Sequence, residues 1–171
     1  MASMNKPSLP RGNRSRVYQR IVELMQTDPT LSKFFPVPAA WSVCDGKPFN
    51  PDLVGATPFV HLVPRPYTTA WYGPDSMAGI LQVDCFVWLP GNSLGQYNAL
   101  DALDLWEILE QVFYPLNDRE KQQAIRASLV AEGAKTGLVM FSQPATQQQA
   151  QDKGLVSYGA LQIDVTRRIS P

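Results

Sequence analysis

His61 is the only histidine in the 171-residue chain, so any chemistry that needs an imidazole must run through it. It sits inside Val60-His61-Leu62, where strand alternation sets it on the opposite side from its apolar neighbours, the position of an ordinary strand histidine. A Ser-His-Asp or Cys-His centre needs a nucleophile beside the base and a third group to orient that base. Neither Cys44 nor Cys85 stands in a nucleophile context, and no nearby cysteine or histidine completes a metal site, so both read as free, buried thiols. Asp101, Asp104, Glu107 and Glu110 recur every three residues and are the one group of carboxylates that could hold a divalent ion or work as acid and base. The same spacing is also the solvated strip of an amphipathic helix, and no second acidic motif or histidine supports a metal centre. No glycine-rich phosphate loop of the Walker or dinucleotide kind is present. The residues therefore predict no catalytic site, no metal and no cofactor. The rival reading, a small soluble enzyme, requires His61, Cys44 or Cys85 to approach the Asp101 to Glu110 strip.

The elements that must position these residues follow from composition and periodicity. Hydrophobic residues make up 44% and charged residues 18%, enough apolar material for one folded domain and less charge than the roughly 25% of an average one. The formal net charge is +0, which removes the overall pull expected of a dedicated nucleic-acid binder. No apolar run approaches a membrane span and the first residues lack the apolar core of a signal peptide, so no membrane is expected and the setting is cytoplasmic. The charge is segregated. Lys6, Arg11, Arg14, Arg16 and Arg20 precede the first acid, Glu23, whereas from Asp52 to Asp118 eight acids face the single cation Arg65. Residues 1–13 are expected to be a flexible basic arm and residues 14–171 a single domain. For Arg11, Arg14, Arg16 and Arg20 the alternatives are a solvated tail and an arm docked on an acidic neighbour.

Val17, Ile21, Leu24 and Met25 give an amphipathic first helix, capped by Asn13 or Ser15 and ended before Pro29, with one more turn around Leu31, Phe34 and Phe35. Prolines then crowd the segment 36–75, where only Phe59 to Val63 reads as a short strand, at an edge. Pro64 to Ser76 reads as an exposed loop carrying Tyr67, Trp71 and Tyr72. Gly79 to Leu89 is a strand with Leu81, Val83, Cys85 and Val87 on one side and Gln82, Asp84, Phe86 and Trp88 on the other. Gln96 to Phe113 is the strongest helix signal, apolar around most of its circumference, so that one sheet face cannot cover it. Ala124 to Val130, Gly137 to Phe141 and Leu155 to Ile169 read as three strands, with a glutamine-rich flexible loop at 143–154. The fold class is α+β: a single domain with a mostly antiparallel sheet packed by an N-terminal helix and a long central helix.

Leu81-Gln82-Val83-Asp84 and Leu161-Gln162-Ile163-Asp164 echo one another. Were these strands neighbours, Gln82, Asp84, Gln162 and Asp164 would share a polar, mildly acidic face away from the core.

This order of elements resembles the tail terminator proteins of long-tailed bacteriophages and their neck and tail-completion relatives. The resemblance runs from about Arg14 to Ile169. Its carriers are the Pro-Phe-Val-His-Leu-Val-Pro strand, the Asp101 to Phe113 helix and the ending Gln162-Ile163-Asp164-Val165-Thr166-Arg167. It implies a structural virion protein without catalysis, assembled in the host cytoplasm. The implied partners are further copies of itself in a hexameric ring, the tail tube protein, the neck or head-tail connector protein, and DNA that passes through the lumen without sequence-specific binding. Under it, Tyr67, Trp71, Tyr72, Leu105, Trp106 and Val112 are expected at the ring interface. Gln82, Asp84, Gln162 and Asp164 are expected toward the channel, where like charge keeps phosphate from sticking, and Arg11, Arg14, Arg16 and Arg20 on a docking arm. Another neck, collar or head-tail adaptor protein of the same virion would share the plan.

Overall fold

The computed structural model describes residues 12–43, 57–65, 69–73, 76–91, 97–142, 144–148 and 154–168. In chain order these form α1 (Asn13–Thr27), α2 (Leu31–Phe34), β1 (Trp41–Val43), β2 (Phe59–Arg65), β3 (Thr69–Gly73), β4 (Ser76–Pro90), α3 (Ala99–Phe113), α4 (Arg119–Ala131), β5 (Ala134–Phe141), β6 (Ala145–Gln148) and β7 (Gly154–Arg168). All seven strands belong to one sheet, ordered β1-β2-β4-β7-β5. β3 extends the sheet beside the start of β4, and β6 lies beside the start of β7. Every pairing is antiparallel except β1 with β2. The fold is α+β. Its spine is the pairing of β4 with β7 from Ser76↔Arg168 to Pro90↔Gly154, which sets Gln82 opposite Gln162.

Alternation decides which side of the spine is core. Leu81, Val83, Cys85 and Val87 of β4 and Leu161, Ile163 and Val165 of β7 are buried, together with Val17, Ile21 and Met25 of α1 and Leu105, Leu109 and Phe113 of α3. α1, α3 and α4 touch one another over this side of the sheet. Hydrogen bonds pin the layer: Tyr18 Oη donates to the Leu62 carbonyl at 3.0 Å and Tyr114 Oη to the Val139 carbonyl at 2.6 Å. Trp106 Nε1 donates to Ser157 Oγ at 2.7 Å, which seats α3 across β7. The start of α3 is fixed by reciprocal capping, since the Asn98 side chain accepts from the backbone N–H groups of Leu100 and Asp101 while Asp101 accepts from that of Asn98.

Several expectations are corrected. Ala124 to Val130 is helical, part of α4, not a strand. Asp118 caps that helix by accepting from Lys121 N–H at 2.9 Å, and Ile125 and Leu129, four apart, supply its buried stripe. β2 is not an edge strand, because the three-residue β1 pairs outside it. The expected loop between Pro64 and Ser76 contains β3, and the expected loop at 143–154 contains β6, each held by long strands that offer a partner beyond their own neighbours. α1 begins as expected but without Asn13 or Ser15 as cap. Gly12 takes that position, and the Asn13 amide instead donates to the Thr166 carbonyl at 2.5 Å. Asn13 also fills the space over Gly133, whose φ of 111° and 2.5 Å approach exclude any side chain.

Candidate functional site

With the helices on one side, the other side of the sheet carries the residues that could meet something else. Three rows cross β2, β4 and β7 there. His61, Phe86 and Tyr158 form the first, with ring centroids 6.0 Å and 4.9 Å apart. Val63, Asp84 and Ala160 form the second, and Arg65, Gln82 and Gln162 the third. Asp84 is only 1% exposed. A carboxylate so buried needs a countercharge and hydrogen-bond donors, and it has both. Arg65 Nε forms an ion pair with Oδ2, and Gln82 Nε2 donates to Oδ1 at 2.9 Å. Gln162 Nε2 donates in turn to Gln82 Oε1 at 3.0 Å. The chain of contacts runs diagonally over three strands and ties their register together.

The same carboxylate sets the local proton affinities. Hydrogen bonding to Asp84, and then its charge, hold the Arg65 guanidinium above its ordinary range. The Tyr158 phenol is raised by desolvation first, then by the charge and hydrogen bond of Asp84, with Arg65 opposing. On the helix side, burial pushes the Cys85 thiol up to about 12.

β4 and β7 are neighbours, the condition under which Gln82 and Gln162 share a face, and Asp164, paired with Ile80, lies on that face too. Asp84 departs from expectation: it is buried and paired with Arg65, so it presents no bare charge to a channel. Arg65 was legible as the lone cation of the acidic stretch, although nothing in sequence spacing joined it to Asp84. Leu105, Trp106 and Val112 are not on an interface surface of the subunit, being 5%, 3% and 3% exposed within its own core. The apolar arc of α3 is covered by the sheet, α1 and α4 together. What that helix shows outward is Leu100 and Leu103, 68% and 52% exposed, followed by Asp104, Glu107, Glu110 and Gln111. Tyr67 lies outside the described residues, and Trp71 and Tyr72 fall in β3, where only the backbone is described.

The basic cluster is likewise corrected. Arg11 lies outside the described residues, while Arg14, Arg16 and Arg20 belong to α1 rather than to a free arm. Arg20 donates to Ser128 Oγ and Glu23 Oε2, each at 3.1 Å, and Arg16 donates to Asn13 and lies 4.0 Å from Glu132. Arg20 thereby fastens α1 to α4, and Arg16 lies against the turn after it. His61 faces away from the helices, Cys85 is sealed beneath them, and the Asp104 to Glu110 strip faces outward, so the three do not converge. Among the described residues no group of three or more His, Cys, Asp or Glu could hold a metal ion. Cys44 lies outside the described residues. Nor is any described helix long and apolar enough to cross a membrane.

Sequence reasoning missed a second apolar surface. Ile80, Leu138, Met140 and Tyr158 are 42%, 41%, 51% and 36% exposed on the side of the sheet away from the helices. Its signal was the strand alternation itself, read at Val139 and Ile163 but not carried outward to their neighbours. No protein-family model matches the chain, and no curated protein matches it either.

Proposed function

We propose that the chain is a structural virion protein of the tail-terminator kind, a subunit of a closed ring that caps the tail tube and joins it to the head connector. The observation that carries this reading is the pair of unlike apolar surfaces on opposite sides of one subunit. Leu100 and Leu103 lie on the helix side, and Ile80, Leu138, Met140 and Tyr158 on the sheet side. Two unlike surfaces suit head-to-tail contact between copies, and head-to-tail contact closes into a ring when the rotation allows. The resemblance implies an α+β subunit, and the fold is α+β.

In this reading the sheet side turns its polar middle toward the channel and its apolar margin, Ile80, Leu138, Met140 and Tyr158, toward the neighbouring copy. Its polar row is neutral at the centre, because Arg65 cancels Asp84 and the glutamines satisfy each other, and Asp164 supplies the negative charge. Arg65, the exposed cation of this face, is held to the buried Asp84, so its charge is answered within the subunit and its grip on DNA phosphates is weakened, which suits passage over retention. The test is assembly in a phage lysate that lacks this protein. Heads and tails should accumulate separately and join on addition of the purified chain. Full joining without it would reject the reading.

A further inference from the structure

Among the described residues the sheet ends at β5, which is paired to β7 on one side only. An uncovered edge strand offers its backbone N–H and C=O groups to any extended chain, and apolar side chains beside them strengthen the offer. Leu138 and Met140, both exposed, stand on this strand. The opposite edge, β1, is three residues long and leaves little to pair with. The first half of β5 is guarded by its own irregularity: Gly137 has a φ of 67°, the pairing with β7 shifts register between Ala134 and Val139, and Lys135 is exposed. From Val139 to Phe141 the pairing is regular. Ser142 N–H donates to the Ala160 carbonyl at 2.9 Å, so by the alternation of an antiparallel ladder Met140 and Ser142 turn their backbone groups to β7, while Val139 and Phe141 turn theirs to the open side. There a single hydroxyl takes both groups of Val139. Tyr114 Oη accepts from the Val139 N–H at 2.9 Å and donates to the Val139 carbonyl at 2.6 Å. A further strand would need the same two groups. Tyr114 is itself held at the end of α3, where its N–H donates to the Glu110 carbonyl at 2.9 Å and the preceding Phe113 is buried.

We propose that Tyr114 is a stop built onto the open edge of the sheet, its hydroxyl keeping β5 from pairing with a further strand. It guards the stretch that the irregularity at Gly137 does not reach. Leu138 and Met140 can then serve a contact through their side chains without inviting one through the backbone. The stop does not depend on the ring reading, because it is measured as a difference between a variant and the wild type, whatever size the wild type has.

Tyr114→Phe removes the hydroxyl and keeps the aromatic ring. In dilute solution the Val139 amide of this variant, followed by NMR, should exchange with deuterium at least about tenfold faster than in the wild type. On concentration, species larger than any the wild type forms should appear, since in a purified solution the only further strand is that of another copy. The Val139 and Phe141 amides should slow again as those species grow. Ile21→Val, a core change in α1 of comparable cost, leaves the edge alone and should do neither. A Tyr114→Phe chain with a freed Val139 amide and the wild-type size at every concentration would overturn the stop. So would growth of Ile21→Val to the same species, because loss of stability alone would then suffice. In the wild type the Val139 amide should be slow although it points off the sheet, and fast exchange there would overturn the contact itself even if Tyr114→Phe failed to fold.

Discussion

A close approach in the core predicts a specific coupling between Gly159 and Trp106. A Cβ added at Gly159 would lie 2.5 Å from Cη2 and 2.9 Å from Cζ2 of the indole, where ordinary contact begins at 3.4 Å. The ring must retreat by about 1 Å, yet it is 3% exposed and tethered to Ser157 Oγ at 2.7 Å. Gly159→Ala therefore combines overpacking, about 1–3 kcal/mol, with loss of one buried hydrogen bond, about 0.5–1.5 kcal/mol. For a domain of this length the sum lowers the melting temperature by roughly 3–18 °C, at about 2–4 °C per kcal/mol. Trp106→Phe removes the indole atoms that clash. On that background Gly159→Ala should cost less than about 1 kcal/mol, a coupling of at least about 0.5 kcal/mol in the double-mutant cycle. Urea unfolding of the four proteins measures it. Equal costs of Gly159→Ala on both backgrounds would refute the proposed contact.

Trp106→Ala should destabilise by about 3–5 kcal/mol in the same assay, as expected of a core side chain, and no assembly-specific effect should remain once stability is restored at lower temperature. Arg65→Met leaves Asp84 buried without its cation and should lower the melting temperature, and adding Asp84→Asn should recover most of the loss. Cys85 gives an alkaline signature: the folded chain keeps its thiol proton up to about 12, whereas the unfolded thiol ionises near 9.0, so stability falls as pH rises through that window. Urea midpoints of the wild type should therefore drop more steeply above pH 9.0 than those of Cys85→Ala. Asp164→Lys should slow DNA ejection while tails still assemble, because each copy then offers the duplex a cation, and unaltered ejection kinetics would contradict a channel-facing sheet.

Much of the scaffold was legible because period and register coincide with burial. β4, β7 and α3 are long, and their alternating or helical apolar positions each have one burial solution, so the side of the sheet that Gln82 and Gln162 take was legible, while their contact rests on the pairing of the two strands. α4 was misread because Ala124 to Val130 is short and locally apolar, and its helical identity rests on the Asp118 cap and two buried residues four apart. β3 and β6 were illegible for a different reason, since a short edge strand is specified by the partner it meets and not by its own residues. The polar face was half legible. Alternation assigned Asp84 to the outer side, but burial and the Arg65 ion pair arise from cross-strand register, which one strand's sequence does not encode.

Mass photometry of the purified chain, alone and with tail tube protein, bears most directly on the proposed assembly. One discrete closed species is expected, six copies of the 19.0 kDa chain as the resemblance implies, formed alone or on contact with the tube and seen as a ring at the tube end by electron microscopy. A monomer at every concentration, with no ring on tubes, would contradict it.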